Sequence, residues 1–351
     1  MLDMLGEANA AALVGLLGGI ALGLAARYGR FCTLGAIEDL IYSSDDRRMR
    51  MWALAIGTAI IGTHVAMVFD LANPAETAYL DRVWNPAGTI VGGLLFGYGM
   101  ALSGNCGYGM LARLGGGDLR AFVMAIVMGL SAYFVMSGPL AHVRVWLFPV
   151  EIGAAAPQSF ASLAEQTIGL SPLATGLLIG AALVAVAVLN PEMRRSYAHV
   201  FWGVVVGLAI TSGWVGTYWI AQNGFAAEPI ETHSFAAPIG DTIYYAMTAS
   251  GNTLSFSVGS VVGVVLGAFV GSFTKGHFRW EACEDPRELR RQLTGAVLMG
   301  PGAILAVGCS VGQGISAFSV LAYSAPVAFL AIFAGAAIGL RQLISGFAPA
   351  E

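Results

Sequence analysis

Charged side chains are scarce in this chain: Asp, Glu, Lys and Arg make up 11% of its 351 residues, where a soluble domain carries roughly 25%. A water-facing surface cannot be built from that supply, and 57% hydrophobic residues put the chain in lipid. Period-two alternation is missing from the apolar runs, which removes a transmembrane β-barrel. No basic patch interleaved with aromatics occurs, and a formal charge of −4 spread over loops leaves no footprint for nucleic acid. Neither G-x-x-x-x-G-K-[ST] nor G-x-G-x-x-G between a strand and a helix is present, so no nucleotide-driven step is expected. Cysteines number four, with no C-x-x-C pair, no Cys/His cluster at zinc spacing and no extracellular disulfide framework. The expectation is a protein with no metal, no cofactor and no catalytic residue, that is, not an enzyme.

What is there is apolar length. Nine segments are long enough to span, at about 10–27, 51–70, 88–104, 119–140, 172–190, 199–220, 254–273, 292–308 and 324–345, against the roughly 20 residues a bilayer requires. With internal pairing of every backbone amide, this predicts an all-α membrane protein of about nine transmembrane helices. The first span follows an acidic start (Asp3, Glu7) without a basic n-region, so it reads as retained rather than cleaved. Shorter Gly-rich pieces at 31–42, 105–117, 239–250 and 309–320 cannot span and read as re-entrant half-helices. With the N-terminus outside, 15 of the 17 Lys and Arg fall inside and two, Arg82 and Arg144, outside. That bias predicts a periplasmic N-terminus and a cytoplasmic C-terminus. The stretch 221–249, with Glu228, Glu231 and Asp241 and no Lys or Arg, then lies outside.

The chain also resembles itself. GGLLFGYGMALSGNC from Gly92 to Cys106 lies without a gap on GAVLMGPGAILAVGC from Gly295 to Cys309, and Gly109 continues onto Gly312. A weaker pairing sets Cys32-Thr33-Leu34 on Asn252-Thr253-Leu254. We therefore expect a first repeat over 1–150, a linking span over 151–195 and a second repeat over 196–351. An odd span between the halves inverts one against the other, an architecture that places a transporter's site at the repeat interface.

Cys32, Cys106 and Cys309 sit in the broken pieces rather than in smooth spans. Broken backbone at membrane depth is tolerated only where it is buried in protein or lines a watery cavity, and half-helix N–H groups make a ready anion site. Three such placements favour path-lining thiols over buried packing residues. Asn105, Ser310 and Gln313 are the candidate neutral hydrogen-bonding partners of a bound ion. His64, inside a span, reads as packing, Glu38 and Asp39 as facing the cytoplasm, and Arg113 as either an anion attractor or a topology anchor. Cys283, in the charged loop GHFRWEACEDPRELRR, reads as a solvated thiol or partner contact.

RFCTLGAIEDL, SGNCGYGMLARLGGGDLRA and AVGCSVGQGISAFS, in this order, resemble the motifs of the YeeE/YedE sulfur-transport family. The polar loop 71–86 and the insertion 141–171 are not explained by those motifs. The resemblance implies two inverted repeats around an hourglass-like path and uptake of thiosulfate through a bacterial inner membrane. It implies that cysteines pass the ion along by S–H hydrogen bonds, with Cys309 outermost, Cys106 central and Cys32 innermost. A small cytoplasmic sulfur carrier of the TusA/SirA type is the implied partner. Members linked to selenium and other sulfur compounds keep those substrates as alternatives, and a membrane thiol redox sensor is the alternative of another class. A neutral thiol suits such an ion because it donates weakly and lets go; a thiolate would repel it, and apolar burial keeps the thiol protonated.

Overall fold

The computed structural model describes residues 6–149, 153–154, 156–225, 228–282 and 285–346. The first half runs α1 (Glu7–Tyr28), the short α2 (Thr33–Glu38), α3 (Arg47–Val68), α4 (Pro86–Ser103), the short α5 (Gly107–Gly115) and α6 (Leu119–Met136). Then come α7 (Ala141–Leu147), α8 (Phe160–Ile168), α9 (Pro172–Val188) and α10 (Pro191–Arg195). The second half runs α11 (Tyr197–Asn223), the short α12 (Ala237–Thr248), α13 (Phe256–Thr274), α14 (Pro286–Leu305), a π-helical segment (Gly312–Ala317) and α15 (Ser324–Ser345). Long, short, long, long, short, long thus occurs twice. Among the described residues there is no strand, only two isolated bridges.

All nine apolar segments coincide with long helices, and among the described residues 7 spans are long and apolar enough to cross a membrane. The other two differ for visible reasons: α9 has 17 residues, and the first turns of α14 carry Arg287, Glu288, Arg290 and Arg291. Starts are fixed by side-chain caps. Asn85 accepts from the Gly88 N–H ahead of Pro86, Ser171 accepts from Ala174 ahead of Pro172, and Asp118 accepts from Arg120 and Ala121.

Small residues let the helices approach closely, which drives association where lipid offers no hydrophobic effect. On α13, a Cβ at Gly259 would lie 1.9 Å from the Ala12 carbonyl oxygen of α1. At the α4–α14 crossing, Gly99 meets the Gly295 carbonyl and Gly92 meets the Gly302 carbonyl, each reciprocated. Glycines matched in sequence as 92 with 295 and 99 with 302 therefore meet crosswise, so α4 and α14 run antiparallel.

The helix pairings exchange as complete pairs between the halves. α1 packs on α13 as α11 packs on α3, and α4 packs on α15 as α14 packs on α6. The half-helices follow: α5 touches α13 and α6 as the π-helical segment touches α3 and α15.

Basic groups gather on one face. There Arg27 Nη2 donates to the Ala112 carbonyl at 2.7 Å, Lys275 Nζ to the Arg27 carbonyl at 3.0 Å, and Arg120 pairs with Asp118 and Glu281. On the opposite face the loop 71–86 and the insertion 141–171 pack on each other. Gly153 and Ala154 donate to the Asp81 carbonyl, Gln158 to Leu80, and Phe160 to Leu321. These two segments, unexplained by the motifs, build a rim above the Cys309 end.

Candidate functional site

Three loops repeat one local design. Two residues before each cysteine the backbone turns left-handed, at Arg30 (φ 54), Gly104 (φ 73) and Val307 (φ 56). That turn ends a long helix. Cys32 and Cys106 then adopt extended N-cap conformations, and each of the three sulfurs accepts the backbone N–H of the glycine three residues on. The distances are 3.5 Å for Gly35 to Cys32, 3.5 Å for Gly109 to Cys106 and 3.4 Å for Gly312 to Cys309. The sulfur does what a serine or aspartate oxygen does at ordinary caps, and a thiol that accepts in this way keeps its S–H free to donate. The three motif cysteines are free thiols.

Each capping glycine also makes room. The space its Cβ would take is held by Arg48 Nη1 at Gly35, by Asn105 Oδ1 at Gly109, and by Ser234 Oγ with the Tyr79 hydroxyl at Gly312. Every sulfur therefore has a polar companion beside its cap.

The loops join through aromatics. The Phe235 backbone N–H donates to Cys309 Sγ at 3.3 Å, and the Phe235 carbonyl packs on Gly107, next to Cys106. Its ring lies 5.5 Å from Tyr108, which in turn meets Phe31, the residue before Cys32, at 6.2 Å. Thr33 Oγ1 lies 4.0 Å from Cys106 Sγ. The structure thus brings the three cysteine loops into one contiguous column.

Cavities open at both ends of that column. At the Cys309 end a cavity of about 480 Å³ is lined by Tyr79, Arg82, Arg144, Glu231, Ser234 and Asp241, among others. Burial pushes the Tyr79 phenol up, with Cys309 and Glu231 adding to the shift, so it stays a neutral donor. Burial likewise raises the Glu231 carboxyl, to about 7, against the hydrogen bond from Ser257. At the Cys32 end a cavity of about 520 Å³ is lined by Arg30, Arg47, Arg48, Asp39, Asp45 and His199. Arginines at both ends of a thiol-lined, otherwise neutral column, Arg82 and Arg144 at one and Arg30, Arg47 and Arg48 at the other, fit a small anion.

Comparison with known proteins agrees. The family described as Sulphur transport matches residues 28–338. The chain belongs to the sulphur transport family. It is a transporter rather than an enzyme, and a multi-pass membrane protein. It is 25% identical over 330 residues to "Thiosulfate transporter TsuA" of Spirochaeta thermophila, covering 92% of this chain and 96% of that one. A second protein of that name, from Escherichia coli K12, is 26% identical over 325 residues, covering 86% of each.

Within this sulfur transporter the candidate residues divide. Cys106 and Cys309 are fully buried and Cys32 partly so. Asn105 and Ser310 are buried beside them, with Asn105 Nδ2 and Ser310 Oγ lacking partners. Gln313 is engaged: its amide donates to the Ala306 and Val307 carbonyls at 2.7 and 3.1 Å and accepts from Ser324, closing the broken end of α14. His64 bonds to Ile60 and packs on Gly176. Arg113 pairs with Asp118 at 3.7 Å, and Asp39 with Arg48 at 3.2 Å. Cys283 lies outside the described residues.

The pairing of Cys32 with Asn252 is corrected. By element order and helix pairing the counterpart of α2 is α12, whose N-cap is Ala236, while Asn252 follows α12. Phe31-Cys32 therefore corresponds to Phe235-Ala236, one aromatic before each cap, a signal too short to register in the sequence. Tyr79, Ser234 and Phe235 carry no motif that marks them in the sequence, and Arg82 and Arg144 are marked there by charge alone. The thrice-occurring C-x-x-G at 32–35, 106–109 and 309–312 was legible.

Proposed function

We propose that this chain takes up thiosulfate across a bacterial inner membrane, passing it from Cys309 to Cys106 to Cys32 by weak hydrogen bonds from neutral thiols. The observation that carries the reading is the repeated cap. Three sulfurs, each held by a glycine N–H, stand on loops joined through Phe235 and Tyr108. The names of the relatives support thiosulfate as the ion.

Weak donors in series suit passage, since binding tight at any one point would trap the ion. Asn105 and Ser310 add neutral donors; Gln313 shapes the Cys309 loop. The N-terminus is periplasmic and the C-terminus cytoplasmic. The antiparallel α4–α14 crossing and the exchanged helix pairs support two inverted repeats around an hourglass-like path. The Cys32 cavity is where a TusA/SirA-like carrier would collect the ion. Uptake of labelled thiosulfate by cells expressing the chain, with labelled sulfate and selenite in parallel, tests the reading. Thiosulfate is expected to accumulate over vector-only cells. A preference for selenite moves the substrate, and activity switched by mild reductant alone replaces transport through neutral thiols with redox sensing.

A further inference from the structure

The two halves differ at the middle of the column. The repeat sets Asn105 against Gly308 and Ser310 against Gly107, so each half contributes one polar side chain where the other has glycine. Neither is needed by the fold's hydrogen bonding. Asn105 is 5% and Ser310 0% exposed, yet Asn105 Nδ2 and Ser310 Oγ have no partner. A buried donor left unpaired costs about 1–3 kcal/mol, so two at one place call for an account.

Both residues lie beside a single sulfur. Asn105 folds over Gly109, whose N–H holds Cys106 Sγ. The Ser310 hydroxyl lies beside Cys106, although no hydrogen bond of normal geometry is completed to it. At the other two caps Ser234 and Arg48 are already engaged. Ser234 Oγ lies 3.7 Å from Cys309 Sγ, and Arg48 is paired with Asp39 at 3.2 Å. Among the described residues, the side-chain atoms beside the caps that are buried without a partner, Asn105 Nδ2 and Ser310 Oγ, lie at the central one.

We propose that Asn105, Ser310 and Cys106 form a central station that replaces the hydration shell of a tetrahedral sulfur oxyanion. The Asn105 amide and Ser310 hydroxyl hold its oxygens, and the Cys106 thiol faces its terminal sulfur. Dehydration is the costly step of crossing a buried column without a cation in it, and hydrogen bonds to charged groups are the stronger kind. Sulfate presents a fourth, more strongly hydrated oxygen to a thiol that donates poorly, so the station favours an ion with a sulfur end. The oxygen-holding part stands on the two orphan donors; the sulfur-facing part rests on the thiosulfate reading above.

The test uses Ser310→Ala and Asn105→Leu in the full chain; each removes a buried unpaired donor, the first without adding volume and the second with the same number of side-chain heavy atoms. Initial uptake of labelled thiosulfate should fall about tenfold or more in each, while the melting temperature of the purified protein stays level or rises because an unsatisfied group is gone. A merely structural role predicts the reverse, a lower melting temperature with uptake falling only as folded protein is lost. That result overturns the station, as does wild-type uptake in both variants. Labelled sulfate and selenite separate the two readings. If the wild type carries one of these instead of thiosulfate, the substrate reading fails, and the station stands only if both variants slow that ion at undiminished stability.

Discussion

Phe235 donates its backbone N–H to Cys309 Sγ at 3.3 Å, while its carbonyl packs on Gly107 beside Cys106. One residue therefore ties the Cys309 sulfur to the Cys106 loop, and loss of either thiol interrupts the same column. Alanine at Cys309, Cys106 or Cys32 should bring labelled thiosulfate uptake close to background. Cys106→Ser should keep a fraction, since a hydroxyl still donates from a shorter reach. Folding should survive, a lost N-cap costing about 0.5–2 kcal/mol. Membrane abundance and a melting curve, measured beside uptake, separate the two effects.

Arg82 and Arg144 line the Cys309-end cavity and are the two arginines that charge bias places outside. Replacing either with Gln should raise the thiosulfate concentration for half-maximal uptake several-fold with little change at saturation, because a mouth charge acts on capture. The wild type should lose part of this advantage in high salt, and the double variant should lose little. An unchanged half-maximal concentration in the double variant would separate this cavity from the path.

The same cavity holds Glu231, whose carboxyl burial raises to about 7. Below that value it is neutral; above it a negative charge joins Asp241 against Arg82 and Arg144. Uptake should therefore decline as external pH rises through about 7, and Glu231→Gln should flatten that decline. Initial rates taken on both sides of this pH in both proteins decide it.

Ala236 holds the cap position of α12 that Cys32 holds at α2, and it lines the same cavity. Ala236→Cys, made with the native cysteines replaced, should react with a membrane-impermeant thiol reagent added outside intact cells, and thiosulfate should slow the reaction. Protection in intact cells with labelling only after lysis would invert the proposed orientation.

Close helix contact is the main support of the fold. A Cβ at Gly259 would sit 1.9 Å from the Ala12 carbonyl, a backbone atom that cannot step aside. Gly259→Val should force α1 and α13 apart and cost several kcal/mol. A sharply lower melting temperature in detergent, or no recoverable protein, is the expected outcome.

Much of this was legible in the sequence. The scarcity of charge fixed the solvent, apolar length fixed the spans, and glycine-flanked breaks at Cys32, Cys106 and Cys309 marked the half-helices, because these properties depend only on a residue and its near neighbours. The family followed from three short motifs. Other features were decided in three dimensions. That Gly92 meets Gly302 rather than Gly295, that Ala236 rather than Asn252 answers Cys32, and that Phe235 joins the Cys309 sulfur to the Cys106 loop depend on chain segments far apart in sequence. Gln313 looked like a ligand and is occupied by the Ala306 and Val307 carbonyls, whereas Asn105 and Ser310 looked no different and keep free donors. Hydrogen-bond satisfaction is a property of the packed surroundings, so residue type alone could nominate these three side chains and only the tertiary structure could separate them.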